Sequence, residues 1–358
     1  MHLHSHNFYQ HTKPADFFQQ VKIGYTVTHM KLILAPMATL THEAFRMIVH
    51  RFADPDEYFS EMIHAPSYLN GGPFESFYVR SDPSPERMVW QLTGPAAPAL
   101  AECARRMTSL GGIGVDLNMG CSAPDIVRTG AGAAWLHKDP SEVDTLIRSV
   151  RSALDSESAA GGAFLRLSVK LRIGETEDYS RLRDFCRRLI DGGVELITLH
   201  PRLRNEKLRG AARWNYVADL ARDLPVPVYG NGDISSAADA RNRFEQHKPA
   251  GIMIGRQALI HPWIFRDYYT PGITGPQYNS GEPVDHQELL VYFLTELKER
   301  QPPAFFMSRA VRYIGWYSRN FRFAHHLASR VRNCPDAKSI IDALMRYFDD
   351  VPSDRFGG

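Results

Sequence analysis

The sequence predicts an α/β fold, a (β/α)8 TIM barrel followed by a small C-terminal helical domain. Three observations carry this. Short apolar runs alternate with amphipathic stretches from about residue 31 to 270. Eight such runs can be assigned, which suits a closed parallel barrel. No GxGxxG follows the first run, which argues against the competing doubly wound open sheet.

Taken in order, residues 31–35 (KLILA) are a continuous aliphatic run and read as the first strand, with a helix starting at Thr41. Residues 57–62 are the second strand, and 64–86, rich in Gly, Pro and Ser, a long loop. The third strand is 87–92 and its helix 95–109; the fourth is 114–118, with a helix of apolar residues at helical spacing over 141–154. The small polar residues 155–162 suggest a surface insertion. A fifth strand at 164–171 leads into a helix over 178–191, and strands follow at 194–200, 226–230 and 251–255. Residues 269–285 are full of Pro, Gly, Asn and Ser and read as a linker; 286–350 are helical throughout, broken at 301–303. The expected organisation is an N-terminal extension (1–30), a barrel (31–270) and a helical domain (286–358).

Composition narrows the function classes. The 358 residues are 44% hydrophobic, enough for a large core and a smaller one. A net charge of +2 with 23% charged residues does not suggest disorder. Cys103, Cys121, Cys186 and Cys334 form no CxxC pair and fit no zinc ribbon, so no metal site is expected and a reducing, cytoplasmic setting is. No apolar run of about 18 residues suggests a membrane span. The His-rich N-terminus reads as an extension rather than a metal site or a secretory signal. No obligate protein partner is evident.

In a barrel of this kind the chemistry gathers at the C-terminal ends of the strands. Those ends carry Gln91, Asn118 (with Cys121 three residues on), Lys170 with Arg172, His200 with Arg202, Asn231-Gly232-Asp233, and Gly255-Arg256. The glycines after the last two strands let backbone N–H groups approach a phosphate, and Arg256 adds charge. Tight turns alone would explain the same glycines. Lys170 sits inside an apolar strand, where an unpaired ammonium is expensive. Glu61 could satisfy it as a structural partner, and so could a flavin, whose reduced ring is anionic. Gln91 and Asn118 suit a pyrimidine edge. Cys103, Cys186 and Cys334 read as inert, whereas Cys121 follows Gly120 in a strand-end loop, where a thiol can act as nucleophile or proton donor.

These residues resemble the tRNA-dihydrouridine synthase family. The matching pieces are APM at 35–37 with Phe45 and Arg46, SEM at 60–62, QLTG at 91–94, DLNMGC at 116–121, GAGA at 130–133, VKLRIG at 169–174, HPR at 200–202, GNGDI at 230–234 and MIGR at 253–256. The resemblance implies FMN as cofactor, NADPH as reductant, and reduction of the C5–C6 bond of particular uridines in tRNA. It also implies hydride delivery to C6 and a proton from Cys121 to C5. Lys170, Gln91 and His200 would hold the isoalloxazine, Asn118 the flavin or uracil, and Ala35, Pro36 and Met37 would line the flavin. Arg256 with Gly232 and Gly255, in loops that include Asn231 and Asp233, would hold the phosphate. An FMN-dependent reductase of a small pyrimidine or enone is the alternative. The chain departs from the family pattern at Ser122, where proline is usual, and at Leu203, Glu206 and Leu208, where Thr, Gln and Tyr are usual, so substrate contacts of that loop do not carry over.

The C-terminal part suggests an RNA partner. Between Glu299 and Asp336 there is no acidic residue. Arg309, Arg312, Trp316, Arg319 and Phe323 would share a face if one helix ran through them. Basic charge mixed with aromatics suits phosphate contact and base stacking. Together with Arg172 and Arg202 at the barrel mouth, Arg309, Arg312, Trp316 and Arg319 are the expected tRNA contacts.

Overall fold

Eight parallel strands close into a ring: β1 (Lys31–Leu34), β2 (Glu57–Phe59), β3 (Met88–Thr93), β4 (Gly114–Met119), β5 (Arg166–Gly174), β6 (Leu196–Leu203), β7 (Val228–Asn231) and β8 (Gly251–Ile254). Each pairs with the next, and β8 pairs with β1, so no strand edge is left open. This computed structural model describes residues 30–206, 209–269 and 283–357. Residues 1–29, Leu208 and nearly all of the expected linker lie outside the described residues.

The helices that cover the ring are α1 (Glu43–His50), α2 (Ala97–Met107), α3 (Pro140–Ala159), α4 (Tyr179–Asp191), α5 (Trp214–Asp223) and α6 (Ala237–His247). One-turn helices, Arg256–Ile260 and Ile264–Tyr268, follow β8. Several starts are set by side-chain caps: Asp139 accepts from the Ser141 amide, Asp178 from Arg181, and Ser236 from Asp239. Beyond the barrel come α7 (His286–Arg300), α8 (Phe306–Tyr317), α9 (Ala324–Arg332) and α10 (Ala337–Asp350). A short antiparallel ribbon of Val284–Asp285 with Phe356–Gly357 closes this part. Helix α7 packs along α1, and α8 against Arg256–Ile260. From Lys31 onward the chain is one compact unit.

Some expectations need correction. The loop over 64–86 contains helices Ala65–Leu69 and Glu75–Tyr78. The insertion expected at 155–162 is instead the last turn of α3, which Asp, Ser and Glu tolerate, and the chain turns only at Gly161 (φ 93°). Helices α5 and α6 fill the connections after β6 and β7, and on α5 Val217 and Leu220 are buried at helical spacing. The basic C-terminal segment is not one helix: α8 stops at Tyr317, and Phe323 precedes α9.

Inside the ring the two-residue period of a strand sorts the side chains. On β5, Leu167, Val169, Leu171 and Ile173 are buried under the helices, while Arg166, Ser168, Lys170 and Arg172 point inward. Ile33, Ala35, Phe59, Val89, Leu196, Tyr229 and Met253 form one apolar cluster in the interior. At the closed end Glu57 is fully buried. Arg166 donates to both its oxygens (3.0 and 2.7 Å), Lys31 pairs with it at 3.2 Å, and the Tyr229 hydroxyl donates at 2.7 Å. Burial pushes the Glu57 carboxyl up, but these partners, Arg166 foremost, outweigh it and hold it at about 2. Its stabilising contribution is therefore present above the ordinary carboxyl range and is lost as pH falls toward about 2. Glu57→Gln keeps the shape but leaves Arg166 buried without its counter-charge, an expected loss of about 3–5 kcal/mol in denaturant unfolding at neutral pH.

Candidate active site

The C-terminal ends of the strands open on a cavity of about 600 Å³. Ala35, Pro36 and Met37 line one side; Lys170, Arg172, His200, Asn231, Gly232, Asp233, Gly255 and Arg256 line the rest of its barrel wall. Helix α8 and the turn after it supply Arg312, Trp316 and Arg319. Of the strand-end residues named from the sequence, Lys170, Arg172, His200, Asn231, Asp233 and Arg256 come together here, whereas Gln91, Asn118, Cys121 and Arg202 are not among the lining residues; residues from the helical part join the first group.

Lys170 is the electrostatic centre. Its ammonium makes no hydrogen bond to another described residue. Burial, helped by the charge of Arg172, pulls its pKa down to about 8 against the opposing pull of Asp116 and Cys121. Glu61 does not satisfy it: one Glu61 oxygen accepts from the Thr39 amide (2.5 Å) and the other pairs with Arg309 (3.5 Å).

His200 is held neutral, chiefly by burial and then by the surrounding Lys170, Arg172, Arg202 and Arg256. The Arg202 guanidinium lies 3.1 Å from its Nε2. Arginine can only donate, so Nε2 is the acceptor and the proton sits on Nδ1. Arg202 is itself buried. Its other donors go to Asp233 (both oxygens at 2.7 Å) and to the Arg209 and Gly210 carbonyls. It is spent on this network and does not line the cavity, which corrects its assignment as a tRNA contact. Asp233 also meets Arg256 at 3.3 Å and accepts from the Ala212 amide. Gly232 has φ 128°, and a Cβ there would come within 3.1 Å of both His200 and Ala212, so glycine is required.

Gln91 and Asn118 do not line the cavity. Both are buried and bonded to protein: Gln91 Nε2 donates to Asp116 (2.8 Å), and Asn118 Nδ2 donates to Gln91 Oε1 (2.9 Å). The Asn118 carbonyl oxygen accepts from the Gly120 and Cys121 amides (3.2 and 2.9 Å). Cys121 is half-buried and free, near enough to Lys170 and Arg172 to act on both electrostatically. Arg172 lines the cavity and also ties two loops, donating to the Gly120 and Leu203 carbonyls (3.1 and 3.2 Å). Glu206, one of the departures from the family pattern, accepts from the Leu203 amide and pairs with Arg213, so it braces the loop after β6.

Arg309 is the second correction. It is buried against Glu61 and over the Phe305 ring, facing away from the cavity. Arg312 and Arg319 are exposed, and the Arg319 guanidinium stacks 4.2 Å from the Trp316 ring. Arg309 falls three residues before Arg312, and only packing distinguishes the inner face of α8 from the outer. Sequence reasoning also passed over Asp116 as a site group, although its alternation with Asn118 along β4 carried the signal.

A closed parallel barrel with a cavity lined by Lys170, Arg172 and Arg256 at its C-terminal mouth is the architecture of a barrel enzyme, and these cations suit an electron-rich or anionic ligand. The sequence profile of the dihydrouridine synthase (Dus) family matches residues 33–348, and the chain belongs to that family. Among curated relatives it is similar to tRNA-dihydrouridine synthase B of Pseudomonas syringae, 29% identical over 331 residues and spanning 92% of this chain and 94% of that protein. It is also similar to a probable tRNA-dihydrouridine synthase of Rhodobacter capsulatus, 31% identical over 80% of this chain and 86% of the relative. The probable tRNA-dihydrouridine synthase 1 of Synechocystis is 25% identical over 92% and 90% of the two chains. No helix among the described residues is long and apolar enough to cross a membrane.

The two arginines of α8 separate by experiment. Arg309→Met leaves Glu61 buried without its cation and is expected to cost about 3–5 kcal/mol in thermal unfolding. Arg312→Ala, at an exposed position, should change stability by no more than about 0.5 kcal/mol.

Proposed function

We propose that this protein reduces uridines of tRNA to 5,6-dihydrouridine in the cytoplasm, with FMN as cofactor and NADPH as the source of electrons. The observation that carries the reading is the half-buried Lys170 ammonium, without a hydrogen bond to another described residue, in a cavity whose outer rim is Arg312, Trp316 and Arg319.

The residues present fit a flavin mononucleotide. The cavity falls in the ordinary range for such sites, about 300–1,000 Å³. Lys170 would stabilise negative charge on the ring, and His200 presents a defined tautomer beside it. Arg256 with the backbone around Gly232 and Gly255 would hold the phosphate, while Ala35, Pro36 and Met37 would cover an apolar face. Gln91 and Asn118, bonded to one another, would support this wall from behind. When bound, the flavin supplies the hydride taken up at C6 of the uracil.

The chain's own part is binding and proton delivery. Hydride addition at C6 leaves an electron pair on C5, so an acid must stand beside C5. Cys121 is the half-buried thiol at that end of the barrel, and its Sγ would give up the proton. Arg312 and Arg319 would take tRNA phosphates and Trp316 a base face, which suits a uridine flipped out of its stack. That basic rim favours a polynucleotide over the alternative, a small pyrimidine or enone, which needs no such surface.

The direct test compares dihydrouridine in tRNA from cells with and without the protein; an unchanged pattern overturns the reading, as would equal turnover of free uridine and tRNA. Cys121→Ala should keep flavin and lower dihydrouridine formation by about 10²–10⁴-fold. Flavin uptake by flavin-free protein should weaken as pH rises through about 8, since Lys170 then loses its charge. Lys170→Met should flatten that dependence and bind flavin about tenfold more weakly or worse, measured by fluorescence titration.

A further inference from the structure

The buried polar groups behind the cavity form one directed chain. Its logic starts from a simple asymmetry: a carboxylate only accepts hydrogen bonds, whereas a side-chain amide has an accepting end and a donating end of nearly the same shape. Asp116 sits fully buried on β4. One of its oxygens takes the Ser168 hydroxyl (2.7 Å), the other the Gln91 amide nitrogen (2.8 Å). With its nitrogen committed, Gln91 can offer Asn118 only an oxygen, so Asn118 must turn its own nitrogen inward (2.9 Å). The Asn118 oxygen is left facing the opposite way, where it receives the Gly120 and Cys121 amides. Reversing either amide would set like groups against each other in a buried site, at about 1–3 kcal/mol for each unmade bond.

We infer that Asp116 is a positioning residue for Cys121: through Gln91 and Asn118 its carboxylate fixes the orientation of the strand-end loop that carries the thiol. The loop is held at few other points. The Cys121 carbonyl accepts from the Ala133 amide (2.9 Å), and Arg172 takes the Gly120 carbonyl. A Cβ on Gly132 would come within 2.7 Å of the Cys121 carbonyl oxygen, so the returning strand of the loop is close-packed there as well. The Asn118 oxygen is what anchors the backbone N–H side of the cysteine. The thiol's role as acid rests on the function proposed above; its positioning by Asp116 does not.

The chain can be broken and remade with isosteric substitutions, which limits the risk of misfolding. Gln91→Glu, assayed above the pH at which the two buried carboxyls share a proton, removes the donor that faces Asp116 and sets two carboxylates together. Adding Asp116→Asn reverses the middle hydrogen bond: the new amide at 116 donates to the new carboxylate at 91. That carboxylate still accepts from Asn118, and Ser168 still has an acceptor. The expected result is that Gln91→Glu changes the rate at which iodoacetamide alkylates Cys121 by about fivefold or more. It should lower kcat on tRNA more than it raises KM. The double substitution should bring both within about twofold of the parent protein. Ser168→Ala, which removes only the bond on the far side of the carboxylate, should lower Tm yet leave the alkylation rate alone. An alkylation rate unmoved by Gln91→Glu overturns the proposal. So does a double variant no closer to the parent than the single one, or a Ser168→Ala rate shifted as far as that of Gln91→Glu. Because alkylation needs no substrate, a protein inactive on tRNA but obeying this pattern would sink the proposed function and leave the positioning role standing.

Discussion

A closed eight-stranded ring encloses an interior that side chains must fill, and any polar group pointing into it must find a partner there. In this barrel β5 points Arg166, Ser168, Lys170 and Arg172 inward in succession. The partners are laid out to match. Glu57 neutralises Arg166 at the closed end, and Asp116 takes Ser168 and Gln91 in the middle. Arg172 is committed to backbone carbonyls at the mouth. Lys170 and Arg172 both line the cavity, and of the four Lys170 alone has no hydrogen bond to another described residue. The site is thus the place where the interior's accounting of donors and acceptors is left open for a ligand.

The helical part completes the same site. Helix α8 carries Arg309, Tyr313 and Tyr317 on its buried face and Arg312 and Trp316 toward the cavity. Glu61 links the two parts with its two oxygens. One holds the amide of Thr39, whose φ of 64° is unusual for a non-glycine residue, in the loop that follows Met37. The other holds Arg309. The loop that lines one side of the cavity and the helix that forms its outer rim are therefore tied to one buried carboxylate.

Much of this was legible in the sequence because it is written locally. Short runs of strand length marked all eight strands, and strand-end position marked Lys170, His200, Asn231 and Arg256. The absence of acidic residues between Glu299 and Asp336 marked the basic rim. What was misread depended on distant partners. Arg202 and Arg309 look like free cations in a list of residues, but each is matched to a carboxylate brought in from elsewhere in the chain, Asp233 and the buried Glu61. Gln91 and Asn118 read as ligand groups, and in the fold they bond to each other and to Asp116 outside the cavity lining.

The sequence by itself determined the barrel, its order of strands and helices, and the set of groups that could gather at its mouth. Periodicity and strand-end position are properties of a few neighbouring residues and survive without the fold. Tertiary structure decided which of those groups are spent and which are left for a ligand. That depends on contacts such as Tyr229 to Glu57, 172 residues apart. No local pattern encodes which carboxylate a buried cation will meet across the ring.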